Sequence, residues 1–327
     1  MHKSLYHPVR VGKTLLPGNL ILAPLAGYSD CAFRELCLEH GADFTFTEMV
    51  SVEGVLRENP KTFGYLTYSD IEKQYGVQIF TASPENALKI APILEQYAPS
   101  IIDINCGCPV PKVVKSGSGS ALMRQPKLIG KIVRALTEHT DIPVTVKLRS
   151  GWEPGEITCF EAAASAVEAG ASAITLHPRT KTQGYGGNAD HTLTKELVKQ
   201  SNVPVFASGD IFTPEDAEHL LSEVGCDGVF FARGAVGNPF IFEATKTYLT
   251  EGYKPIKASK DQILKTASDH IRKAKKYLGD EAASKEMKKH LCGYIKGIDG
   301  ASKLRNALVH TSNTEQMVSL IEKHLAV

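Results

Sequence analysis

Short apolar runs alternate along the first three quarters of the chain with longer stretches that have helical spacing of apolar and polar residues. Runs of this length that are rich in β-branched and aromatic residues predict buried strands. We predict eight strands: Leu20–Ala23, Phe44–Phe46, Gly76–Phe80, Ile101–Ile104, Val144–Leu148, Ala173–Leu176, Val205–Ala207 and Gly228–Phe231. Helix start signals lie between them, with Ser83-Pro84-Glu85 opening a helix to Tyr97 and Thr213-Pro214-Glu215-Asp216 opening one to Leu221.

This alternation predicts an α/β fold in which parallel strands are joined by right-handed helical crossovers. Eight repeats favour a closed (β/α)8 TIM barrel over an open sheet. The length of 327 residues suits a barrel of about 250 residues with a smaller second domain. We place the boundary at Gly252-Tyr253-Lys254-Pro255, so that residues 1–253 form the barrel and 254–327 form an all-helical domain, with helices from Lys260 to Leu325.

Charge is distributed unevenly along the chain, although the formal net charge is only +1. Residues 1–253 contain 22 basic and 28 acidic side chains, whereas residues 254–305 contain 14 and 6. A local basic surface is typical of modules that bind polyanions. A solvated, lysine-rich helix face is the alternative.

Composition and apolar patterning indicate an ordinary globular protein. Hydrophobic residues make up 43% of the chain and charged residues 22%. No run approaches the ~20 apolar residues of a membrane span, and the start lacks a signal-peptide pattern, so we expect a cytoplasmic protein with no membrane partner. The seven cysteines are scattered and odd in number, which predicts reduced thiols.

In a barrel, the active site lies at the carboxyl ends of the strands, so polar residues there are the first candidates for functional residues. Pro24, Leu25 and Ala26 follow the first predicted strand in a tight turn, where the backbone could approach a flat ligand closely. An equally good interpretation is an ordinary strand-to-helix loop in which Ser29 or Asp30 caps the helix. Gln78 is a polar residue between apolar neighbours, and it either binds a ligand or makes an interior hydrogen bond.

The fourth predicted strand ends in Asn105-Cys106-Gly107-Cys108-Pro109. A thiol at Cys108 that stays protonated at neutral pH can deliver a proton to carbon, although a buried structural cysteine is the commoner case. We do not expect a metal site at the two cysteines, because no second Cys or His cluster with zinc spacing completes one. The segment Lys115–Ser120 is predicted to be a mobile loop without helix or strand.

Cations follow the next two predicted strands. Lys147 and Arg149 lie two residues apart and therefore face the same side, where they need an anionic or electron-rich ligand. His177 and Arg179, with Tyr185 beyond them, offer hydrogen bonds and stacking to a base, although a surface loop is the alternative.

The last two strand ends carry the glycine-containing segments Ser208-Gly209-Asp210 and Ala232-Arg233-Gly234. Loops after the seventh and eighth strands of a TIM barrel commonly form a phosphate site from exposed backbone N–H groups. This pair is the strongest cofactor signal that the residues themselves give.

Several of these motifs occur together in one known family. They are Leu22–Gly27, Asn105–Pro109, Val146–Arg149, His177–Thr180, Gln183–Tyr185, Arg233-Gly234 and Gly237–Pro239. With them the sequence resembles, over nearly its whole length, the tRNA-dihydrouridine synthases, FMN enzymes that reduce uridine to dihydrouridine. The run Pro109–Lys115 resembles a bacterial branch of that family. Ser208 stands where Asn is usual, Ala232 where Gly is usual and Leu25 where Met is usual.

The resemblance implies a role for each candidate residue. FMN contacts are implied at Pro24, Leu25, Ala26, Gln78, Lys147, His177, Ser208, Gly209, Asp210, Ala232, Arg233 and Gly234. Cys108 would donate the proton to uracil C5, and Asn105, Arg149 and Arg179 would face the uracil. The reductant would be NADPH or NADH, and the helical domain would grip tRNA. We expect a monomer without a metal.

Three other functions remain compatible with the residues. The barrel could be an FMN enzyme that reduces a free pyrimidine or another small unsaturated molecule. It could be a phosphate-sugar isomerase or lyase that uses Lys147 without flavin. It could also be an RNA-binding barrel that has lost catalysis.

Overall fold

The computed structural model describes residues 4–253 and 256–325. Within these ranges the strands are β1 (Val9–Val11), β2 (Thr14–Leu16), β3 (Leu20–Leu22), β4 (Phe44–Thr45), β5 (Val50–Ser51), β6 (Gly76–Phe80), β7 (Ile101–Cys106), β8 (Val144–Gly151), β9 (Ala173–Thr180), β10 (Val205–Ser208) and β11 (Gly228–Phe231). All but β1 and β2 form one sheet in the order β4-β3-β11-β10-β9-β8-β7-β6-β5, and every pairing in it is parallel.

The sheet closes into a barrel next to β4. Phe46, directly after β4, bridges in parallel to Gly76 at the start of β6. The predicted (β/α)8 TIM barrel is therefore confirmed. The second barrel strand is interrupted: β4 pairs with β3, the chain leaves the ladder near Glu48 and Met49, and β5 pairs with the end of β6.

Helices separate the strands in the predicted rhythm. They are α1 (Cys31–Glu39), α2 (Val52–Leu56), α3 (Pro60–Gly64), α4 (Pro84–Glu95), α5 (Pro111–Lys115), α6 (Pro126–Thr137), α7 (Cys159–Glu168), α8 (His191–Gln200), α9 (Pro214–His219), α10 (Ile241–Glu251), α11 (Lys260–Leu278), α12 (Asp280–Tyr294), α13 (Ala301–Val309) and α14 (Thr314–Leu325), with a 3-10 helix at Gly119–Arg124 and a π-helical turn at Leu220–Val224.

Helix starts follow the capping signals of the sequence. The Ser83 hydroxyl accepts the Asn86 N–H at 3.1 Å at the start of α4, and Thr213 forms a reciprocal capping box with Asp216 at the start of α9. Of the two residues considered as cap of α1, Asp30 fills the position and accepts the Phe33 N–H at 2.9 Å. Ser29 instead accepts the Leu25 N–H.

Two local predictions need correction. β8 and β9 continue beyond their predicted ends, because Arg149 pairs with His177 and Gly151 with Thr180 across the two strands. The segment Lys115–Ser120 is not a loop throughout: α5 ends at Lys115, and the 3-10 helix begins at Gly119. Ser120 is buried there and donates from both its N–H and its hydroxyl to the Cys108 carbonyl, each at 3.0 Å.

The sequence analysis did not predict the antiparallel hairpin of β1 and β2. Its apolar residues Val9, Val11 and Leu16 are buried in one cluster with barrel residues such as Phe44 and Phe206. The strands are three residues long, which is too short for a periodic pattern to be visible.

Residues 260–325 are mainly helical, as predicted, and α11 to α14 share an apolar cluster with the barrel helix α1. Leu264 and Ile271 of α11 and Met287 of α12 share one apolar cluster with Phe33 and Leu36 of α1. Lys273 adds ion pairs to Glu35 at 2.5 Å and Glu39 at 2.7 Å. The proposed domain boundary falls partly on residues 254 and 255, which lie outside the described residues. Among the described helices, none combines the length and the hydrophobicity that crossing a bilayer requires.

Candidate active site

A cavity of about 560 Å³ opens where the barrel strands end. Its lining includes every predicted site residue except Arg179. These are Pro24, Leu25, Ala26, Gln78, Asn105, Cys108, Lys147, Arg149, His177, Ser208, Gly209, Asp210, Ala232, Arg233 and Gly234. Residues from seven strand ends therefore meet at one site, as parallel strands of a barrel require.

The Asn105 side chain shapes the loop that presents Cys108. Its Oδ1 accepts the N–H groups of Gly107 at 3.1 Å and Cys108 at 2.9 Å, and its Nδ2 donates to Gln78 Oε1 at 2.8 Å. Because both ends of the amide bind protein groups, Asn105 has little hydrogen-bonding capacity left for a ligand. Its observed effect is to fix the backbone at Cys108.

The Cys108 side chain is partly exposed on the cavity wall. Burial raises the pKa of its thiol. A backbone hydrogen bond from Val110 and the charge of Arg149 oppose this rise, but the pKa remains above its usual value. The thiol is therefore protonated at neutral pH. Cys106 is fully buried on β7, and within the described ranges no three His, Cys, Asp or Glu side chains are arranged to hold a metal ion.

Below this loop a polar layer crosses three strands. Gln78 Nε2 donates to Asp103 Oδ2 at 2.7 Å, and the Thr145 hydroxyl donates to Asp103 Oδ1 at 2.6 Å. Burial raises the pKa of Asp103 to about 6, which its two donors and Lys147 partly oppose. Burial likewise lowers the pKa of Lys147 to about 8, with Asp103 raising it and Arg149 lowering it. Lys147 thus lies on the cavity wall, and its ammonium group loses its proton at a pH only slightly above neutral.

Arg149 is held by three backbone carbonyls. Its Nε donates to Gly107 at 2.7 Å, and its Nη1 donates to Thr180 and Gly184, both at 2.9 Å. Its Nη2 has no hydrogen-bond partner among the described residues. The guanidinium is therefore fixed in place with one donor group free toward a ligand.

Arg179 is placed differently from the prediction. It is 1% exposed and lies behind the cavity wall, where its guanidinium donates to both carboxylate oxygens of Asp210, at 2.9 and 2.6 Å. It also donates to the carbonyls of Gly186 and Gly187. Arg179 is therefore the one predicted site residue that does not line the cavity, and its buried guanidinium is paired with a carboxylate.

Asp210 organises the loop after β10. It accepts from Arg179, from Arg233 at 2.9 Å and from the Ala189 N–H at 2.8 Å. Burial raises the pKa of Asp210, but the hydrogen bonds from Arg179 and Ala189 outweigh it and the net direction is downward. Its backbone has a positive φ of 55°, which aligns the loop around this ion pair.

Two glycines beside the cavity have no room for a side chain, Gly234 because the loop after β11 meets the loop after β10, and Gly209 because it meets His177 of β9. A Cβ on Gly234 would lie 2.1 Å from the Ile211 carbonyl oxygen, and one on Gly209 would lie 2.6 Å from the His177 ring. In the described part of the chain, the N–H groups of Asp210, Arg233 and Gly234 have no hydrogen-bond partner. Clustered free N–H groups beside Arg233 form a cradle suited to a phosphate.

His177 remains neutral in this setting. Burial, together with the charges of Lys147, Arg149, Arg179 and Arg233, lowers the pKa of its imidazole to about 2. It can therefore donate or accept a hydrogen bond at the cavity wall without carrying charge.

Some lining residues were missed by sequence reasoning. Tyr28, Met49 and Phe212 are on the cavity wall, and Asp103 lies directly beneath it. Asp103 could have been found, because a carboxylate two residues before Asn105 in a buried strand shares its face. Met49 reaches the cavity only because the second strand is interrupted, which no local pattern shows.

Comparison with known proteins gives consistent results. A family model described as dihydrouridine synthase matches residues 21–326. The chain is 42% identical to a probable tRNA-dihydrouridine synthase of Treponema pallidum (strain Nichols), over 97% of this chain and 96% of that protein. It is 31% identical to tRNA-dihydrouridine synthase B of Pasteurella multocida (strain Pm70), over 95% and 94%.

A solved structure of histamine dehydrogenase from Rhizobium sp. 4-9 shares the fold, with a TM-score of 0.60 and 14% identity over 83% of this chain and 51% of that one. Together with the family match, the barrel and its thiol-bearing cavity define a flavin-dependent oxidoreductase. More particularly, the chain belongs to the dihydrouridine synthase family.

Proposed function

We propose that this protein is a tRNA-dihydrouridine synthase that uses FMN, takes reducing equivalents from NADPH or NADH, and protonates uracil C5 from Cys108. The observation on which the proposal depends is that one cavity is lined by a protonated thiol, by a lysine whose pKa is lowered to about 8, and by the loops that form the phosphate cradle. The two relatives named above as tRNA-dihydrouridine synthases support uridine in tRNA as the substrate.

The residues present fit FMN. The free N–H groups of Asp210, Arg233 and Gly234, with the Arg233 guanidinium beside them, would hold its phosphate. Lys147, Gln78 and the small residues Pro24 to Ala26 would line the isoalloxazine ring. When bound and reduced, FMN supplies the hydride that saturates the C5–C6 bond of uracil.

Cys108 would complete the reduction by moving a proton. A thiol with a raised pKa is fully protonated at neutral pH and can donate to uracil C5, after which solvent returns a proton to the sulfur. Arg149, fixed by three carbonyls and with Nη2 free, would stabilise the negative charge that develops on the uracil oxygen. Asn105 would hold the Cys108 backbone in place.

The C-terminal helices would bind the rest of the RNA. Lys296, Lys303 and Arg305 are exposed, and none forms an ion pair with a described residue. A base must leave its stack to reach the cavity, and this requires the protein to bind the RNA backbone on either side of it. We therefore assign tRNA binding to residues 254–327 and catalysis to residues 1–253, with the monomer as the working unit in the cytoplasm.

The decisive experiment is dihydrouridine mapping in tRNA from cells with and without this gene. We expect one or more positions to lose dihydrouridine when the gene is deleted and to regain it with purified protein and NADPH. Unchanged dihydrouridine in both comparisons would refute the proposal. Turnover of a free pyrimidine at a rate equal to that of tRNA would instead favour a small-molecule reductase.

A further inference from the structure

Tyr28 lines the catalytic cavity but has no role in any of the contacts assigned above. It lies in the turn between β3 and α1, where its N–H donates to the Leu25 carbonyl at 2.8 Å. Its phenol hydroxyl has no hydrogen-bond partner within residues 4–253 and 256–325. An unpartnered hydroxyl on the wall of a ligand cavity is available to a ligand.

The ring of Tyr28 is held from behind by α12. The His290 ring meets it edge-on, with centroids 5.1 Å apart, and Lys289 Nζ lies 5.3 Å from its centre. His290 is fully buried, and neither ring nitrogen has a hydrogen-bond partner among the described residues. Burial, with the charges of His270 and Lys289, lowers the pKa of His290 well below its usual value, so the ring stays neutral. His290 therefore acts on Tyr28 through shape and packing.

The position of α12 relative to the cavity is fixed by a close backbone approach. A Cβ on Gly237, in the loop after β11, would lie 2.3 Å from the carbonyl carbon of Gly293 on α12. No side chain fits there, so the helix and the cavity loop touch directly. The helix that supports Tyr28 is thus also held by the loop after β11, the strand that pairs with β3.

The charges near Tyr28 restrict what its hydroxyl can bind. Asp30, Glu48 and Glu286 surround Lys289, which forms an ion pair with Glu286. Burial raises the pKa of both Asp30 and Glu48, and Lys289 only partly opposes this. These four residues line a second cavity on the Lys289 side of the Tyr28 ring, and their three carboxylates outnumber the ammonium, which disfavours a phosphate on that side but tolerates a neutral group with hydroxyls.

We propose that the Tyr28 hydroxyl forms a hydrogen bond with the ribose 2′-hydroxyl of the uridine that is reduced. His290 and Lys289 position the Tyr28 ring for this contact. The inference rests on the proposed function. The uracil ring is already assigned to Cys108 and Arg149, and the carboxylates disfavour the phosphate, which leaves the sugar. The 2′-hydroxyl both donates and accepts, as the phenol does, and it distinguishes RNA from DNA.

The test uses two tRNA transcripts that differ only in a ribose or deoxyribose at the target uridine, once mapping has located it. With wild-type protein and NADPH, we expect the deoxy substrate to raise KM about three- to tenfold, the size of one net hydrogen bond, with a smaller change in kcat. Tyr28→Phe keeps the ring and its packing on His290. It should raise KM for the ribose substrate by a similar factor and should no longer distinguish the two transcripts.

The controls separate this contact from a general structural effect. Tyr68→Phe removes the hydroxyl of another exposed tyrosine, and it should keep the wild-type ratio between the transcripts. His290→Leu leaves the hydroxyl of Tyr28 but frees its ring, and should reduce the ratio toward one. A ratio that stays at the wild-type value in Tyr28→Phe overturns the inference, as does a Tyr28→Phe effect on KM for NADPH instead of RNA. If wild-type protein reduces neither transcript, the proposed function itself is wrong.

Discussion

Asp103→Asn should lower the pH at which flavin binding weakens. Asp103 is buried beneath the cavity and accepts from Gln78 and Thr145. An asparagine can keep both contacts, because its oxygen accepts from Gln78 while its amide donates to the Thr145 hydroxyl, which can rotate. The substitution therefore removes a charge from beside Lys147 while Gln78 and Thr145 each keep a hydrogen-bond partner at position 103.

The expected magnitude follows from the lysine pKa. Burial lowers the pKa of Lys147 to about 8, and Asp103 is the group that raises it. Loss of a neighbouring opposite charge typically shifts a pKa by about one unit or more. At pH 7.5 the protonated fraction of Lys147 would then fall from roughly three quarters to roughly one quarter. If FMN binds the protonated lysine, its apparent Kd rises about tenfold per pH unit above that pKa.

The assay is FMN titration of the flavin-free protein, followed by flavin fluorescence, from pH 6 to 9. The wild-type apparent Kd should be flat below a break near pH 8, and the break should move down by about one unit in Asp103→Asn. Asp141→Asn, which changes an exposed carboxylate, should leave the break in place. An unchanged break in Asp103→Asn would show that Asp103 does not control the charge of Lys147.

Three further outcomes are expected. Cys108→Ala should keep the protein yellow while lowering dihydrouridine formation about 10²- to 10⁴-fold, because only the proton donor is lost; unchanged turnover under single-turnover conditions would contradict this. Glu72→Gln leaves the buried Arg34 guanidinium without its anion and should lower the free energy of unfolding by about 3–5 kcal/mol in urea, whereas loss of an exposed ion pair costs under about 1 kcal/mol. His270 and His290 are buried with lowered pKa values, so an unfolded chain binds more protons than the folded one as pH falls below about 6.5. Unfolding free energy should therefore decrease from pH 7 to 5.5, and His290→Phe should reduce that decrease; equal slopes for both proteins would count against a role for the pair.

The sequence alone determined the eight barrel strands, the helices that begin at its capping signals, and the parallel direction of the strands. The barrel strands are short apolar runs because both faces of the sheet are buried. Ser83 and Thr213 begin their helices through hydrogen bonds to residues only three positions further along the chain. Because parallel strands bring their carboxyl ends to one side, Cys108 and Lys147 could be placed at a common mouth without coordinates. The motifs also indicated the family to which the chain belongs.

Only the tertiary structure decided how the polar side chains are paired. Arg179 lies on the same strand as His177, yet it is buried and does not line the cavity, because Asp210, 31 residues later, offers it a carboxylate. Asp103 raises the pKa of Lys147 across neighbouring strands against the larger effect of burial, and His290 supports Tyr28 from a helix that is remote in sequence. Periodicity specifies which residues are buried, whereas the partner of a buried charge depends on long-range packing, and that partner decides whether the charge faces the ligand or the protein.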